Sequence, residues 1–399
     1  AISGLMNTLD PHSSYLSEDV FQKVKEDTQG EFGGLGIEVS EKDGVLVVVT
    51  PIEDTPAFEA GIEAGDKIVE IDHESTMGLT LQEAVDKMRG KPGSTVTLGI
   101  VRKGHKEVKQ IEIEREIIQI QAVKSQIVKD NFGYVRLVQF QKDAGDTIAE
   151  KLKGIKKKLK KKDKRLRGIV LDLRSNPGGL LDEAVNVSSL FLKDGVVVST
   201  EGRDPKNKEI YYVNKSGYKD LKTPMVVLIN GASASASEIV AGALQDHERA
   251  IVMGSRSFGK GSVQTIAKID DTQGVKLTIA QYMTPDDRKI QAIGIKPDVL
   301  LDEFEARWVE ENRKEPEYVR EADLRNHLNA TIETEKEKKR RKEKEEKLRK
   351  ERIKRYKQKQ KEGKTSQDMP RKRSPEEDYQ VIQAVKYLKT YKIFQKMDK

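Results

Sequence analysis

The spacing of apolar positions changes character along the chain, and each change predicts a different kind of structure. Residues 1–28 read as a helical segment broken by Asp10-Pro11-His12-Ser13-Ser14-Tyr15, with Ser17 before Glu18-Asp19 marking a helix start. Residues 29–118 carry short alternating or β-branched runs: Ile37-Glu38-Val39, Val45 to Val49, Asp66 to Ile71 and Val96 to Arg102. These predict strands, and Ala57 to Gly61 and Thr80 to Met88 predict two short helices among them. From residue 119 to 300 strands and helices alternate. Phe132–Leu137 is a strand, Asp146–Lys162 a basic helix, and Gly168–Arg174 a buried strand running into Asn176-Pro177-Gly178-Gly179. A helix follows from Leu181, then strands at Val196–Val198 and Met225–Asn230, a helix from Ser237 to Leu244, and a strand at Ala250–Gly254. Such alternation predicts an α/β core.

Beyond residue 301 the pattern fades. Between Glu335 and Glu362 only Leu348, Ile353 and Tyr356 are sizeable apolar residues, a spacing that sustains no heptad. A solvated helix or a disordered segment fits that stretch. A loop with Gly363, Pro370 and Pro375 precedes Tyr379–Met397, where Val381, Ile382, Ala384, Val385, Leu388 and Ile393 predict a docking helix, to self or to a partner. The chain thus divides into a helical segment (1–28), a β-rich module (29–118), an α/β core (119–300) and a charged helical tail (301–399).

Composition narrows the chemistry. The 399 residues include 73 Lys and Arg against 66 Asp and Glu, a net charge of +7 with both signs interleaved. That balance predicts a solvated surface rather than a nucleic-acid groove. Lys156 to Lys162 is basic but carries no aromatic residue on which a base can stack, so no nucleic-acid partner is expected. With no cysteine, thiol catalysis, disulfides and zinc–thiolate sites are excluded. No metal or cofactor is expected. No run reaches the roughly 18 apolar residues of a membrane-spanning helix. Ala1 to Met6 reads as the middle of an amphipathic helix, so the sequence is expected to be a piece of a longer chain whose targeting segment precedes it.

Two segments carry reactive groups. Gly231-Ala232-Ser233-Ala234-Ser235-Ala236-Ser237-Glu238 lies where a strand turns into a helix, a junction that holds a serine clear of the fold beside a helix N-terminus. Ser233, Ser235 and Ser237 compete for the nucleophile. Ser237 with Glu238 can cap the helix, Ser233 can close the turn, and Ser235 sits between them. Phe258-Gly259-Lys260-Gly261-Ser262-Val263-Gln264 supplies a lysine between glycines. A desolvated lysine can hold its amine neutral and act as a serine's base, and Gln264 can orient that amine. Gly254, Gly259 and Lys260 also fit phosphate-loop spacing, but Gly261 stands where that motif needs Ser or Thr. His247 is a rival base, within a polar helix end. The Asn176–Gly179 turn and the Ala236 amide can present the N–H pair of an oxyanion hole.

Within residues 29–118, Gly34-Leu35-Gly36-Ile37, the run Ala60 to Ile68 and the late helix together resemble a PDZ domain, whose loop of free backbone N–H groups holds a peptide carboxylate. The chain as a whole resembles the carboxyl-terminal processing proteases, the tail-specific family of PDZ-containing serine–lysine peptidases. The resemblance covers about residues 1–300 and includes the Asp10–Tyr15 segment, Asp172 to Gly179, both reactive segments, and Gly294-Ile295-Lys296-Pro297-Asp298-Val299. It implies a crotonase/ClpP-like α/β core with an inserted PDZ domain. It implies Ser235 as nucleophile, Lys260 as base with Gln264 in support, and Ala236 with Gly179 as oxyanion hole. Gly34, Leu35, Gly36 and Ile37 would bind substrate. The implied activity is endoproteolysis through an acyl-enzyme, on proteins or peptides with free C-termini. An exported or periplasmic location is implied, with membrane association through the missing segment and homo-oligomer or adaptor contacts through the C-terminal helix. The alternatives are an inactive scaffold that only captures C-termini and a nucleic-acid-binding protein that uses the basic tail.

Overall fold

The computed structural model describes residues 6, 8–42, 45–52, 54–102, 107–119, 121–129, 131–204, 208–301, 320–324 and 374–397. The charged stretch expected between Glu335 and Glu362 lies outside the described residues. Two compact units form: Ala1–Gln22 with Ala122–Lys399, and Lys23–Gln121.

Strand β1 (Ser14–Leu16) precedes helix α1 (Glu18–Gln29), which carries the chain across the division between units. In the smaller unit, β2 (Glu31–Gly34) precedes β3 (Ile37–Lys42), β4 (Val45–Pro51), the single turn α2 (Pro56–Glu59), β5 (Lys67–Ile71) and β6 (Glu74–Ser75). Helix α3 (Leu81–Met88), β7 (Thr95–Val101), β8 (Lys109–Glu114) and β9 (Glu116–Gln119) complete it. The sheet order is β3-β4-β5-β7-β8, so β3 lies at an edge, with α3 against it. Thr80 and Glu83 cap α3 in a reciprocal box. At its other end the buried Arg115 donates to the carbonyls of Met88 (2.9 Å) and Lys87 (3.0 Å), two of the acceptors a helix end leaves open. Leu46, Val48, Ile68, Ile71, Leu98 and Ile100 fill the core.

The larger unit continues through β10 (Val123–Val128), β11 (Phe132–Leu137), α4 (Ala144–Lys160), β12 (Gly168–Asp172), α5 (Leu181–Ser189), β13 (Val196–Gly202), β14 (Glu209–Tyr212) and β15 (Met225–Ile229). Helix α6 (Ala236–Asp246), β16 (Ile251–Gly254), β17 (Ser262–Lys268), β18 (Gly274–Met283), β19 (Val299–Leu300) and α7 (Tyr379–Met397) follow. The main sheet runs β10-β11-β12-β15-β16-β19, parallel from β11 onward. Its central strands β15 and β16 carry no polar side chain, and β12 none before Asp172, because both faces of the sheet are covered there. Ile169, Leu171, Val227 and Ile229 face the cluster shared with α4, α5 and α6. Val170, Val226 and Leu228 face the other way, onto Val381, Ala384, Val385 and Leu388 of α7. The helix expected at Tyr379–Met397 thus docks on its own sheet. A second sheet, β1-β18-β13-β14 with β17 on β18, includes β1 in a segment expected to be helix and turn.

An ion cluster joins α7 to the main sheet. Asp172, fully buried at the end of β12, accepts from Arg174 (2.7 and 2.9 Å) and from the Tyr134 hydroxyl (2.7 Å). Arg174 also reaches Asp378 (3.0 Å) and Gln380 (2.8 Å) at the start of α7. Burial alone would raise the Asp172 pKa, but the Arg174 charge and hydrogen bonds outweigh it and hold the carboxyl below its usual range. Leu388→Ala, which empties a site buried against Gly168, is expected to cost about 2–5 kcal/mol of unfolding free energy in urea titrations. A loss below about 1 kcal/mol would show that α7 contributes little to this core.

Candidate active site

The carboxyl ends of three neighbouring parallel strands gather the reactive residues. Strand β12 leads through Arg174 and Ser175 into the Asn176–Gly179 turn, β15 leads into the serine run, and β16 leads into the loop that carries Lys260. Ser235 is the N-cap of α6, with φ 56° and ψ −115°, outside the comfortable region for a residue with a side chain. Ser233 takes the turn-closing role: its hydroxyl donates to the Leu173 carbonyl (2.8 Å) and accepts from the Asn230 amide (2.9 Å). Ser237 is fully buried and donates to the Asn176 carbonyl (3.0 Å). Two of the three serines are therefore spent on the fold, and Ser235 is the half-buried one.

The residue that joins the two segments is Glu238. Its fully buried carboxylate accepts the amide of Ser235 (2.8 Å) and, from the lysine loop, the Ser257 hydroxyl (2.6 Å), the Gly259 amide (2.8 Å) and the Lys260 amide (2.8 Å). Phe258 adds a further tie, its amide donating to the Ser233 carbonyl (3.0 Å). Burial pushes the Glu238 pKa up to about 7, against the pull of its four donors. Local sequence offers Glu238 only as a cap partner for Ser237. The Ser-x-x-Glu spacing of Ser235 and Glu238 is the signal for the cap that forms.

Lys260 is half-buried beside this carboxylate. Desolvation lowers its pKa from the ordinary 10.5, Lys276 on β18 adds to the lowering, and Glu321, Glu238 and Asp10 oppose it. Among the described residues no hydrogen bond joins its amine to Ser235 or Gln264. The structure leaves the Gln264 amide on Ser262, whose hydroxyl (2.8 Å) and carbonyl (3.2 Å) it meets beside a bulge between Val263 and Gln264. His247 stands at the far end of α6, about 18 Å along the helix from Ser235 at 1.5 Å per residue, and bonds the Val196 carbonyl (2.7 Å). A strand, β17, follows the lysine loop where a phosphate cradle would need a helix.

The Asn176–Gly179 turn lies against the serine. Gly178 (φ 105°) approaches so closely that a Cβ on it would sit 2.8 Å from that of Ser235, and its amide is taken by Asn176 Oδ1 (2.9 Å). Gly179 (φ 144°) is pressed on the Phe140 carbonyl. Among the described residues no acceptor takes the amides of Gly179 or Ala236. In the smaller unit, the Gly34–Ile37 loop has its carbonyls pinned: Leu35 accepts from the Ala57 amide (2.9 Å) and Gly36 from the Ile52 amide (2.8 Å). Leu35 is buried in the core, and Gly36 has φ 75° with Thr55 packed against it. The loop opens directly onto the edge strand β3.

Among the described residues no cluster of His, Asp and Glu is arranged to hold a metal, and no helix is long and apolar enough to cross a membrane.

Comparison with known proteins agrees with these two units. The model of Peptidase family S41 matches residues 131–301, and that of the PDZ domain matches residues 33–114. The carboxy-terminal-processing protease of Bartonella bacilliformis is 46% identical over 336 residues, covering 84% of this chain and 76% of that protein. The carboxy-terminal processing protease CtpA of Bacillus subtilis is 35% identical over 300 residues, covering 75% of this chain and 62% of its own length. Among solved structures, a photosystem II D1 C-terminal processing protease is 31% identical, covers 75% of this chain and 80% of its own, and has a TM-score of 0.46. The fold is the mixed α/β, crotonase/ClpP-like peptidase core with a PDZ domain. On the strength of the Bartonella relative and both domain matches, the chain belongs to peptidase family S41, among the carboxy-terminal-processing proteases.

Proposed function

We propose that the protein is a serine endopeptidase that captures a substrate's C-terminus on its PDZ domain and cleaves by a serine–lysine mechanism. The observation that carries this reading is the Glu238 carboxylate, which holds the amides of Ser235 and Lys260 together. Neutral Lys260 takes the proton of Ser235 Oγ as that oxygen attacks the peptide carbonyl, and the carbonyl oxygen becomes the oxyanion. The amides of Ala236 and Gly179, which have no internal acceptor among the described residues, donate to it. Lys260 then passes the proton to the leaving amine. The acyl-enzyme on Ser235 is resolved by a water that Lys260 deprotonates in turn. Gln264 orients the Lys260 amine once its amide leaves Ser262.

The open edge of β3 receives the peptide as an added strand, and the Gly34-Leu35-Gly36-Ile37 loop receives its terminal carboxylate. Substrates are proteins or peptides with a free, apolar C-terminus. The periplasmic or otherwise exported location is carried by the family resemblance. An oligomer or adaptor contact through α7 would use its outer face, where Tyr387 and Tyr391 are each 40% exposed. An inactive scaffold is disfavoured because Ser235, Lys260 and Gln264 are all present.

Ser235→Ala and Lys260→Ala are each expected to reduce cleavage of an unfolded, C-terminally tagged protein by about 10³-fold or more, with the thermal unfolding midpoint little changed. Cleavage by either variant within tenfold of wild type would refute the assignment. Amidation of a peptide's C-terminus is expected to weaken its binding about tenfold or more, the loss of one charge-assisted contact. Gly36→Ala, forced into a left-handed backbone against Thr55, is expected to do the same to the free acid. Equal affinities for the acid and the amide in fluorescence anisotropy would remove the loop from carboxylate recognition.

A further inference from the structure

The Asp10–Tyr15 segment has no part in the mechanism above, yet it leads to a second buried carboxylate beside the lysine loop. Glu321, which opens a short 3-10 turn (Glu321–Asp323), has no exposed surface. Leaving such a group unpaired would cost several kcal/mol, so its partners matter. His12 Nε2 lies 2.8 and 2.7 Å from its two oxygens, and Gln291 Nε2 donates to Oε1 at 2.9 Å. Gln291 turns its own Oε1 to the amide of Gly261 (2.9 Å), the residue after Lys260. The Glu321 amide donates to the carbonyl of Phe258 (3.2 Å), two residues before Lys260.

His12 is itself fixed. The Asp10 carboxylate accepts the His12 amide (2.8 Å), the Ser13 amide (2.9 Å) and hydroxyl (2.5 Å), and the Thr278 hydroxyl (3.0 Å) of β18. The loop carrying Lys260 is therefore gripped twice. Glu238 holds Ser257, Gly259 and Lys260, and the Glu321–Gln291 pair holds Phe258 and Gly261.

We propose that Glu321, braced by His12 and acting through Gln291, is a positioning residue for Lys260: it keeps the Phe258–Gly261 turn seated so that the amine stays out of water. This rests on the serine–lysine reading above. Glu321 acts through the turn and not through its charge, because a negative charge near Lys260 favours the protonated amine and works against a general base. The charged groups facing Lys260 are Lys276 from β18, Glu238 from α6, Asp10 from the N-terminal segment and Glu321, with His12 on Glu321.

The test compares Glu321→Ala, Glu321→Gln and Ser235→Ala in the full chain, by pH profiles of kcat and kcat/KM on an unfolded protein substrate. Glu321→Gln keeps an acceptor for Gln291 and a contact to His12 but carries no charge. Positioning predicts that Glu321→Ala lowers kcat about tenfold or more with KM within about twofold, and shifts the rising limb of kcat/KM to higher pH as water reaches the amine. It predicts that Glu321→Gln restores most of kcat. A limb that stays or moves to lower pH in Glu321→Ala, or a Gln variant as impaired as the Ala variant, would overturn it. If Glu321→Ala does not fold by circular dichroism, Gln291→Met takes its place with the same expected loss and limb shift. Ser235→Ala separates the two failures: cleavage surviving in that variant sinks the serine–lysine reading itself, whereas its loss beside a normal Glu321→Ala sinks only this inference.

Discussion

The Glu238 carboxylate is the contact on which the arrangement of the site depends. It is fully buried on the first turn of α6, where the helix dipole favours a negative group, and its two oxygens take four donors from two separate loops. Those donors hold the strained backbone of Ser235 and bring the lysine loop beside it. Were the carboxylate removed, three backbone amides and a hydroxyl would lose their acceptor together, at about 1–3 kcal/mol each. A buried charge so heavily engaged sets position in a way that apolar packing does not.

The sheet supplies the frame for that contact. Side by side and parallel, β12, β15 and β16 end together, so the three turns that follow them converge at one edge. Both faces of the sheet are covered, by α4, α5 and α6 on one side and α7 on the other. The buried Asp172–Arg174 pair links the α7 layer to the strand that leads into the Asn176–Gly179 turn. Helix packing on one face and the candidate oxyanion turn thus share a single strand.

What could be read from the sequence was local. Alternating and β-branched runs located nine of the nineteen strands described, among them β12, β15 and β16 at the site, where burial on both faces leaves a nearly continuous apolar run. The serine run and the lysine loop stood out because small residues and glycines cluster there. Local pattern left three serines open, and only the bonds of Ser233 and Ser237 to Leu173 and Asn176, far away in sequence, show that both are occupied. Strand β1 was read as part of a broken helix because its pairing partner, β18, lies some 260 residues later. The His12–Glu321 pair, 309 residues apart, had no local signal at all. The sequence offers Gln264 as the group that orients the lysine amine, and it carries no signal for the contact its amide makes with Ser262, two residues back on the same strand.

The central claim is that Lys260 is held out of water so that its amine is neutral enough to serve Ser235. It is tested most directly by titrating Lys260 itself, following its ¹³Cε shift in lysine-labelled protein, with Lys260→Arg to assign the signal. A lowered pKa means that the neutral fraction at any given pH exceeds that of an ordinary lysine, and that it grows as pH rises through the shifted midpoint. The account predicts a midpoint clearly below 10.5. A midpoint at or above 10.5 in the unaltered protein would contradict it.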